Sequence, residues 1–277
     1  MKLSDPNFLV DFLRKNRLSL SRELGQNFLV DSEVLAEIIT AAELKKFDNV
    51  VEIGAGIGTL TSELVTRVKK VTALEFDQKI FPTLVKNLSE FSNIELHNLD
   101  VRKFIPPKGV YKLVANIPYY LTSPILRQFF LKAENCPQIA VLLVQKEVAE
   151  KICNIQKLSP LALEVCIFAS AEIVCFVSRK SFLPPPKVES AVIKIVLKKS
   201  PEIPQEDIVD FFKVIHAGFR APRKKIRGSL AAGLSVPKKT VKEVLLISEV
   251  DTEKRPENLT IKEWQKILMA ARRLSAI

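Results

Sequence analysis

From about residue 49 to residue 198, short apolar runs alternate with helical stretches. Several runs are apolar at every position instead of every second one, which is typical of strands covered on both faces. Seven runs predict strands: NVVEI (49–53), KVTALE (70–75), IELHNL (94–99), YKLVAN (111–116), IAVLLVQ (139–145), EIVCFVS (172–178) and SAVIKIVL (190–197). With helices between them, they predict an α/β domain built on a doubly wound, mostly parallel sheet.

The pattern changes after the segment KKSPEIPQED (198–207), which two prolines interrupt. Strand-like runs stop there, and the rest favours helices: IVDFFKVIHAGF, KKIRGSLAAGL, KTVKEVLL and TIKEWQKILMAARRL. The sequence therefore predicts a first domain over residues 1–199 and a small all-helical domain over residues 200–277. Residues 1–24 carry several basic side chains and are expected to form an N-terminal arm of the first domain.

The chain is strongly basic, with a net charge of +11 and a pI near 9.4. Excess positive charge predicts an anionic partner, most commonly nucleic acid, although it can also serve solubility alone. The segment RAPRKKIR (220–227) is basic at five of its eight positions and directly follows Phe219. A local cluster of this kind is typical of phosphate contacts and favours a nucleic-acid partner.

Several classes of protein are not expected from this sequence. Its four cysteines form no C-x-x-C pair, and His97 and His216 lie apart from them, so neither a zinc site nor a disulfide framework is predicted. The cysteines are Cys136, Cys153, Cys166 and Cys175. The chain has no apolar run of about 18 residues and no long apolar centre of a signal peptide near its start. We therefore expect a cytoplasmic protein without a metal.

A glycine-rich turn, Gly54-Ala55-Gly56-Ile57-Gly58, follows the first predicted strand and leads into a predicted helix. Such a turn lets a ligand approach the backbone closely, although a purely structural tight turn uses the same residues. No Gly-Lys-Ser/Thr follows, which excludes a Walker loop. Thr59 stands where a dinucleotide fingerprint requires its third glycine.

Two acidic residues end the next two predicted strands. Glu75 lies 21 residues after Gly54, the spacing at which nucleoside-binding α/β proteins place the acid that accepts ribose hydroxyls. Asp100 ends the following strand within NLDVRKF, so both carboxylates are expected at the same edge of the sheet. Either acid alone could be a solvated strand end. Together with the glycine turn they predict a nucleoside cofactor that lacks a pyrophosphate.

The segment VANIPYYLTSPIL (114–126) places Asn116-Ile117-Pro118-Tyr119 at the end of the fourth strand. Here the sequence resembles the adenine-amino methyltransferases, whose hallmark is N-[IL]-P-[YF] or D-P-P-[YFW]. An adenine amine is a poor nucleophile because its lone pair is spread into the ring. The side-chain carbonyl of Asn116 and the main-chain carbonyl of Pro118 would accept its two N–H groups and stabilise the developing positive charge. Tyr119 would offer its ring to an unstacked base.

Further motifs narrow the resemblance to the ribosomal RNA adenine dimethyltransferases, which have a Rossmann-like sheet. LGQNFLVD (24–31) and FLPPPKVESAV (182–192) match the flanking motifs of that family, so the resemblance runs in order across residues 24–197. GFRAPRKKIRGSL (218–230) and RPENLT (255–260) resemble the helical domain of its bacterial small-subunit type. Three departures stand out. Tyr120 replaces a frequent asparagine, Ala55 replaces a frequent proline, and Pro222 interrupts the basic cluster.

The resemblance implies a role for each matching residue. The S-adenosylmethionine site would use Asn27, Leu29, Gly54, Gly56, Glu75, Asp100 and Asn116, with no metal. Catalysis would depend on Asn116, Pro118 and Tyr119, and Phe182 would stack on the target adenine from the other side. Without the resemblance, Phe182 would be placed in the hydrophobic core, where most aromatic side chains lie.

The resemblance also implies a function. The protein would transfer methyl groups to the N6 amines of two adjacent adenosines in the 3′-terminal hairpin of small-subunit rRNA, acting as a monomer on the immature small subunit. The helical domain and the basic residues Arg14, Lys15, Arg17 and Arg22 would hold RNA phosphates. The alternatives are a large-subunit rRNA dimethyltransferase of the macrolide-resistance type, a DNA adenine methyltransferase and a ribosome-assembly factor on the same fold.

Overall fold

The computed structural model describes residues 5–18, 25–132 and 135–277. It divides into two compact units, the first made of residues 1–150 and 170–197 and the second of residues 151–169 and 198–277. The first unit holds the sheet and the second is helical. The boundary between the two functional domains, which the sequence predicts between residues 199 and 200, remains a prediction. The segment 151–169 makes most of its contacts with the helices of the second unit.

The helices and strands are, in chain order, α1 (Pro6–Lys15), β1 (Phe28–Leu29), α2 (Ser32–Ala41), β2 (Asn49–Ile53), α3 (Thr59–Val65), β3 (Lys70–Glu75), α4 (Phe81–Asn87), β4 (Ile94–Asn98), β5 (Lys112–Asn116), α5 (Thr122–Leu126), β6 (Ile139–Gln145), α6 (Lys146–Cys153), α7 (Pro160–Cys166), β7 (Ala169–Val177), β8 (Phe182–Leu183), β9 (Ser190–Leu197), α8 (Ile208–Gly218), α9 (Ile226–Leu234), α10 (Lys238–Ile247) and α11 (Ile261–Arg273). Six-residue π-helical geometry continues α5 over Arg127–Lys132.

The sheet has seven strands in the described part of the chain, in the order β4-β3-β2-β5-β6-β9-β7. The pairs β2–β3, β2–β5, β3–β4 and β5–β6 are parallel, whereas β6 and β9 are antiparallel. All seven predicted strands are present, which confirms the Rossmann-like fold. Along the chain, β3 and β4 follow β2 on one side of it in the sheet, and β5 then lies on its other side. A crevice therefore opens at the carboxyl ends of β2 and β5, where sheets of this kind bind ligands.

The central strands are buried on both faces, as their continuous apolar runs predict. Leu113, Val114 and Ala115 of β5 are fully buried, and β6 is buried from Ile139 to Val144. Helix α2 packs its apolar face against this core, and its exposed face is largely polar. Burial of this extent fixes the strand register, because a shift by one residue would exchange the two faces of each strand.

The described part of the N-terminal arm contains an amphipathic helix, α1. Its N-cap Asp5 accepts hydrogen bonds from the Asn7 and Phe8 backbone N–H groups at 2.8 and 3.0 Å. Leu9 and Leu13 are buried in a cluster with the side chains Phe28, Val30, Ile57 and Ile80. Of the basic residues that we expect to contact RNA, Arg14, Lys15 and Arg17 are exposed. Arg22 lies outside the described residues.

A two-stranded ladder, absent from the sequence prediction, joins β1 to β8. Phe28 lies opposite Leu183, and Leu29 lies opposite Phe182, in antiparallel register. The ladder continues through Asp31, which accepts a hydrogen bond from the Ser181 hydroxyl at 2.7 Å and also caps α2. The two flanking motifs of the sequence, in residues 24–31 and 182–192, are thus brought together to form one wall of the first unit.

The helical unit is assembled around Trp264, which is fully buried and stacks on Phe219 with ring centroids 5.7 Å apart. The segment 151–169 joins this unit through α7 and through backbone hydrogen bonds, among them Leu158 N–H to the Glu257 carbonyl at 2.9 Å. Among the described residues, no helix is both long and apolar enough to cross a membrane. The same residues contain no group of three or more metal-ligating side chains.

Candidate functional site

A cavity lies at the carboxyl ends of β2, β3 and β5, at the predicted crevice. It is lined by the glycine turn after β2, the ends of β3 and β5, and the segment 25–29 that precedes α2. Of the site residues predicted from the sequence, nine line it: Asn27, Leu29, Gly54, Gly56, Glu75, Asp100, Asn116, Pro118 and Tyr119. Phe182 is the exception. The fold thus brings together residues that are spread over 93 positions of the chain, from Asn27 to Tyr119.

The glycine turn requires glycine for two separate reasons. Gly54 and Gly56 have φ angles of +74° and +59°, in the left-handed region that side chains disfavour. A Cβ on Gly56 would also lie only 2.8 Å from Phe28 Cε1, and one on Gly54 only 3.2 Å from the Asn116 carbonyl oxygen. The turn therefore brings the backbone after β2 against both β5 and the segment before α2, which closes one side of the cavity.

Glu75 is held in a fixed orientation at the end of β3. Its Oε2 accepts the Gly56 N–H at 2.7 Å, and its Oε1 accepts the Asp77 N–H at 2.8 Å. Burial raises the pKa of this carboxyl, and the two backbone N–H groups oppose that rise by stabilising the charge. Each oxygen keeps a further lone pair, so the oriented carboxylate can accept hydrogen bonds from a pair of ligand hydroxyls.

Glu52 also lines the cavity, although it belongs to none of the sequence motifs. Its side chain is 1% exposed, and its Oε2 has no hydrogen-bond partner in the described part of the chain. Burial raises its pKa to about 8, and the nearby Glu75 charge acts in the same direction. An acid between the apolar residues Val51 and Ile53 of a predicted buried strand was the signal that could have found it, since buried carboxyl groups are rare without a role.

Asp100 sits in a different electrostatic environment at the same edge of the sheet. It forms a forked ion pair with Arg102, with Nε 3.0 Å from both carboxylate oxygens and one terminal nitrogen 2.5 Å from Oδ2. It also accepts the Arg102 backbone N–H at 2.9 Å. The Arg102 hydrogen bonds lower the pKa of Asp100, so this carboxyl is ionised at neutral pH while Glu52 is largely protonated.

The predicted amine acceptors lie at the end of β5. The Asn116 carboxamide donates to the Asn27 carbonyl at 3.1 Å, which orients it, and its own Oδ1 accepts no hydrogen bond from the described residues. The Pro118 carbonyl accepts the Leu121 N–H at 2.8 Å and keeps one lone pair. Two carbonyl oxygens, each with accepting capacity, are therefore held two residues apart at the cavity.

Tyr119 is anchored through its hydroxyl, which lies 2.6 Å from the Ser190 hydroxyl at the start of β9. Burial raises the pKa of the Tyr119 phenol, so it stays neutral at physiological pH. The ring is partly exposed and lines the cavity. An aromatic face that is fixed at its far end is suited to stacking on a planar ligand.

Phe182 takes the position that the sequence pattern alone favoured. It is 2% exposed and packs in the core cluster that contains Leu29, Val177 and Val192. It does not line the cavity in this conformation. Its stacking on a target base, which the resemblance implies, remains a prediction and requires that the ring or its neighbours move.

The basic cluster of the second unit is only partly neutralised. Lys225 and Arg227 pair with Glu253, the latter at 3.1 Å. The other three basic residues are exposed and form no ion pair within the described chain: Arg220, Arg223 and Lys224. The turn that carries Pro222 is held by the Ala221 N–H, which donates to the Ser229 hydroxyl at 3.0 Å. The unpaired cations are available to an anionic ligand.

The profile of the family described as ribosomal RNA adenine dimethylase matches residues 17–271 of the chain. The chain belongs to this family. A Dehalococcoides mccartyi (strain CBDB1) relative named ribosomal RNA small subunit methyltransferase A is 38% identical over 258 residues, covering 91% of this chain and 88% of that protein. A Clostridium botulinum (strain Kyoto / Type A2) relative of the same name is 35% identical over 265 residues, or 93% and 96% of the two chains.

Two solved structures of methyltransferases have the same fold as this chain. A dimethyladenosine transferase from Plasmodium falciparum superposes with a TM-score of 0.77 at 30% identity, covering 88% of this chain and 97% of that one. The 23S rRNA methyltransferase ErmE gives a TM-score of 0.71 at 28% identity, covering 88% and 99%. The resemblance that the motifs indicate is thus confirmed over most of the chain.

As a member of the ribosomal RNA adenine dimethylase family, the chain is an S-adenosylmethionine-dependent methyltransferase. The residues of the cavity fit that cofactor. Glu75 presents two oriented oxygens for a ribose, and Gly56 leaves the backbone open where a Cβ would collide with Phe28. Glu52 adds a buried oxygen without a hydrogen-bond partner among the described residues, and the carboxyl groups of Asp100 and Glu75 suit a positively charged ligand.

Proposed function

We propose that the protein dimethylates the N6 amines of two adjacent adenosines in the 3′-terminal hairpin of small-subunit rRNA. It would act as a monomer in the cytoplasm, on the immature small subunit, and contribute to the biogenesis of that subunit. One observation carries the proposal: Asn116-Ile117-Pro118-Tyr119 is intact at the end of β5, beside the glycine turn and Glu75. The names of the relatives, ribosomal RNA small subunit methyltransferase A, favour this RNA.

The cofactor would be held from three sides. Glu75 would accept its ribose hydroxyls, because both carboxylate oxygens are already oriented by backbone N–H groups. Asp100 would accept its adenine amine through the lone pairs that Arg102 leaves free, and Asn27 and Leu29 would close the cavity from the segment before α2. When bound, the cofactor supplies a methyl group activated on a sulfonium, so the chain does not have to activate a leaving group.

The acceptor pair would do the catalytic work of this chain. Asn116 Oδ1 and the Pro118 carbonyl would each accept one N–H of the adenine amine, which directs the nitrogen lone pair out of the ring plane. Both oxygens carry partial negative charge where positive charge develops on nitrogen, so they stabilise the transition state electrostatically. A once-methylated amine keeps one N–H, and either oxygen can hold it for the second transfer.

The base would be held by stacking, and the RNA by charge. Tyr119 would stack on the adenine that has left its helix, with its hydroxyl fixed on Ser190. Arg220, Arg223 and Lys224 in the second unit, and the exposed cations of α1, would contact phosphates. Phosphate contacts supply affinity, whereas the shape of the folded RNA supplies much of the specificity.

The large-subunit rRNA is the second candidate substrate, because the 23S rRNA methyltransferase ErmE has the same fold at 28% identity. Labelled methyl transfer to isolated ribosomal subunits tests the choice. We expect label in small subunits that lack the modification and background label in large subunits or in protein-free 23S rRNA. Label in the large-subunit RNA alone would contradict the proposal, and no label in any RNA would contradict the activity.

A further inference from the structure

A second aromatic ring, that of Tyr120, lies at the mouth of the cavity and has no role in the function described so far. It follows Tyr119 in the short turn Tyr119–Leu121 and lines the cavity, yet 57% of it is exposed. Aromatic side chains generally gain free energy by burial, so a large exposed ring at a ligand site requires a reason. Single exposed apolar residues elsewhere on a surface do not.

The ring of Tyr120 is exposed, and the chain segment that carries it is ordered by hydrogen bonds. The ring lies beside Gly25, where an added Cβ would be 3.7 Å from Tyr120 Cε1. On both sides its backbone is fixed by hydrogen bonds: Leu121 N–H donates to the Pro118 carbonyl at 2.8 Å, and the Thr122 hydroxyl donates to the Tyr119 carbonyl at 3.1 Å. A ring carried on an ordered turn costs less conformational entropy to position when a flat ligand stacks on it.

A guanidinium accompanies the ring. Arg102 lines the same cavity as Tyr120, and its side chain is 65% exposed and is held by its forked pair with Asp100. Unpaired RNA bases stack on aromatic rings and on guanidinium planes, and the guanidinium can also approach a phosphate. Ring and cation together therefore match the chemistry of one nucleotide of single-stranded RNA.

The position of the ring identifies which nucleotide. Tyr120 is two residues from Pro118, so the two Cα atoms are separated by at most about 7.6 Å, twice the spacing of consecutive Cα atoms. If the Pro118 carbonyl and Asn116 hold the target amine and Tyr119 stacks on the target base, Tyr120 is left for a nucleotide beside the target. We propose that Tyr120, supported by Arg102, stacks on the base beside the target adenosine and so positions the RNA strand. The inference rests on the proposed function.

Three variants test it, with immature small subunits as the RNA substrate. Tyr120→Asn removes the ring, and Tyr120→Phe keeps the ring without its hydroxyl. Phe47→Asn is the matched control: Phe47 is 71% exposed and lies near Lys45, but it precedes β2 and so sits at the opposite end of that strand from the cavity. For each protein, kcat and KM for subunits are measured, and the dissociation constant of S-adenosylmethionine is measured by calorimetry.

We expect Tyr120→Asn to raise KM about tenfold, within the range found when a base loses its aromatic partner, with kcat little changed. The cofactor dissociation constant should stay within about twofold of the wild type, and Tyr120→Phe and Phe47→Asn should behave as wild type. A merely structural role for the ring would lower cofactor affinity as well.

Three results would overturn the proposal: an unchanged KM in Tyr120→Asn, an equal loss of cofactor affinity, or a Tyr120→Phe variant as defective as Tyr120→Asn. Failure of the proposed function is distinguishable from these. It appears in the wild type, as absent methyl transfer to small subunits, before any variant is compared.

Discussion

At the scale of single residues, the carboxyl groups at one sheet edge differ because their surroundings differ. Asp100 is held ionised by Arg102, whereas the buried Glu52 has a pKa of about 8. A raised pKa in the folded protein means that the native state binds more protons than the unfolded state between the unfolded value, near 4.5, and about 8. Glu52 therefore stabilises the fold fully below pH 4.5, and this contribution is lost as pH rises toward 8.

We accordingly expect the free energy of unfolding of the cofactor-free protein to fall as pH rises from 5 to 8. A Glu52→Gln variant should lose part of this slope, at most about 1.4 kcal/mol per pH unit, because glutamine does not titrate. The pKa of Glu75 is also raised, so Glu75 should maintain the rest of the pH dependence in this variant. Urea denaturation at several pH values measures both slopes. Identical slopes in the two proteins would show that Glu52 is not protonated in the fold.

The acceptor pair gives a second prediction at this scale. Asn116→Ala removes one of the two oxygens proposed to hold the amine and should lower kcat about 100-fold or more, as the loss of one preorganised polar partner does elsewhere. Binding to small subunits should be retained, since Asn116 contacts no phosphate in the proposed arrangement. Single-turnover methyl transfer and subunit sedimentation measure the two effects. Normal methylation by this variant would refute the assignment.

At the scale of elements, the sequence predicted the strands and helices that have a hydrophobic pattern extending over several residues. All seven strands of the sheet and the helices α8, α9, α10 and α11 follow from continuous apolar runs or from helical stretches in the sequence. The ladder between β1 and β8 has two residues in each strand and no local pattern, so it depends on contacts between segments about 150 positions apart. Glu52 was missed for a related reason, because it lies inside a run that reads as core.

Helix α1 packs against residues that line the cavity. Leu9 is fully buried in the cluster with Phe28 and Ile80, and both of those residues line the cavity. Leu9→Ala should cost about 2–5 kcal/mol of stability and weaken cofactor binding, because the cavity wall loses its packing. Val10, 50% exposed on the same helix, provides the control: Val10→Ala should change stability by less than about 0.5 kcal/mol. Equal effects of the two substitutions would mean that α1 does not dock as described.

At the scale of the whole molecule, the net charge of +11 is partly used within the protein. In the basic cluster, the single carboxylate of Glu253 pairs with both Lys225 and Arg227 and offsets one of their two positive charges, so the charge available to RNA is smaller than the sequence count. Sequence alone could count the cations but could not separate paired from unpaired ones, because the partner lies 26 positions or more away in the chain. The grouping of residues 151–169 with the helices was beyond sequence analysis for the same reason.

The unpaired cations give a prediction about salt dependence. The double substitution Arg223→Ala and Lys224→Ala should weaken binding to small subunits and reduce the slope of log affinity against log salt by about 1 for each lost phosphate contact. Lys213, paired with Asp210 on α8 outside the cluster, is the control. Lys213→Ala should leave the slope unchanged. Equal slopes in the double variant and the wild type would place the RNA elsewhere.

The most direct test of the central claim is mass spectrometry of rRNA after incubation of unmodified small and large subunits with the protein and labelled S-adenosylmethionine. It reports the base, its position and the number of methyl groups together. We predict two adjacent N6-dimethyladenosines in the 3′-terminal hairpin of the small-subunit rRNA and none in the large-subunit rRNA. A dimethyladenosine in the large-subunit rRNA, or small-subunit rRNA left unmodified, would contradict the account.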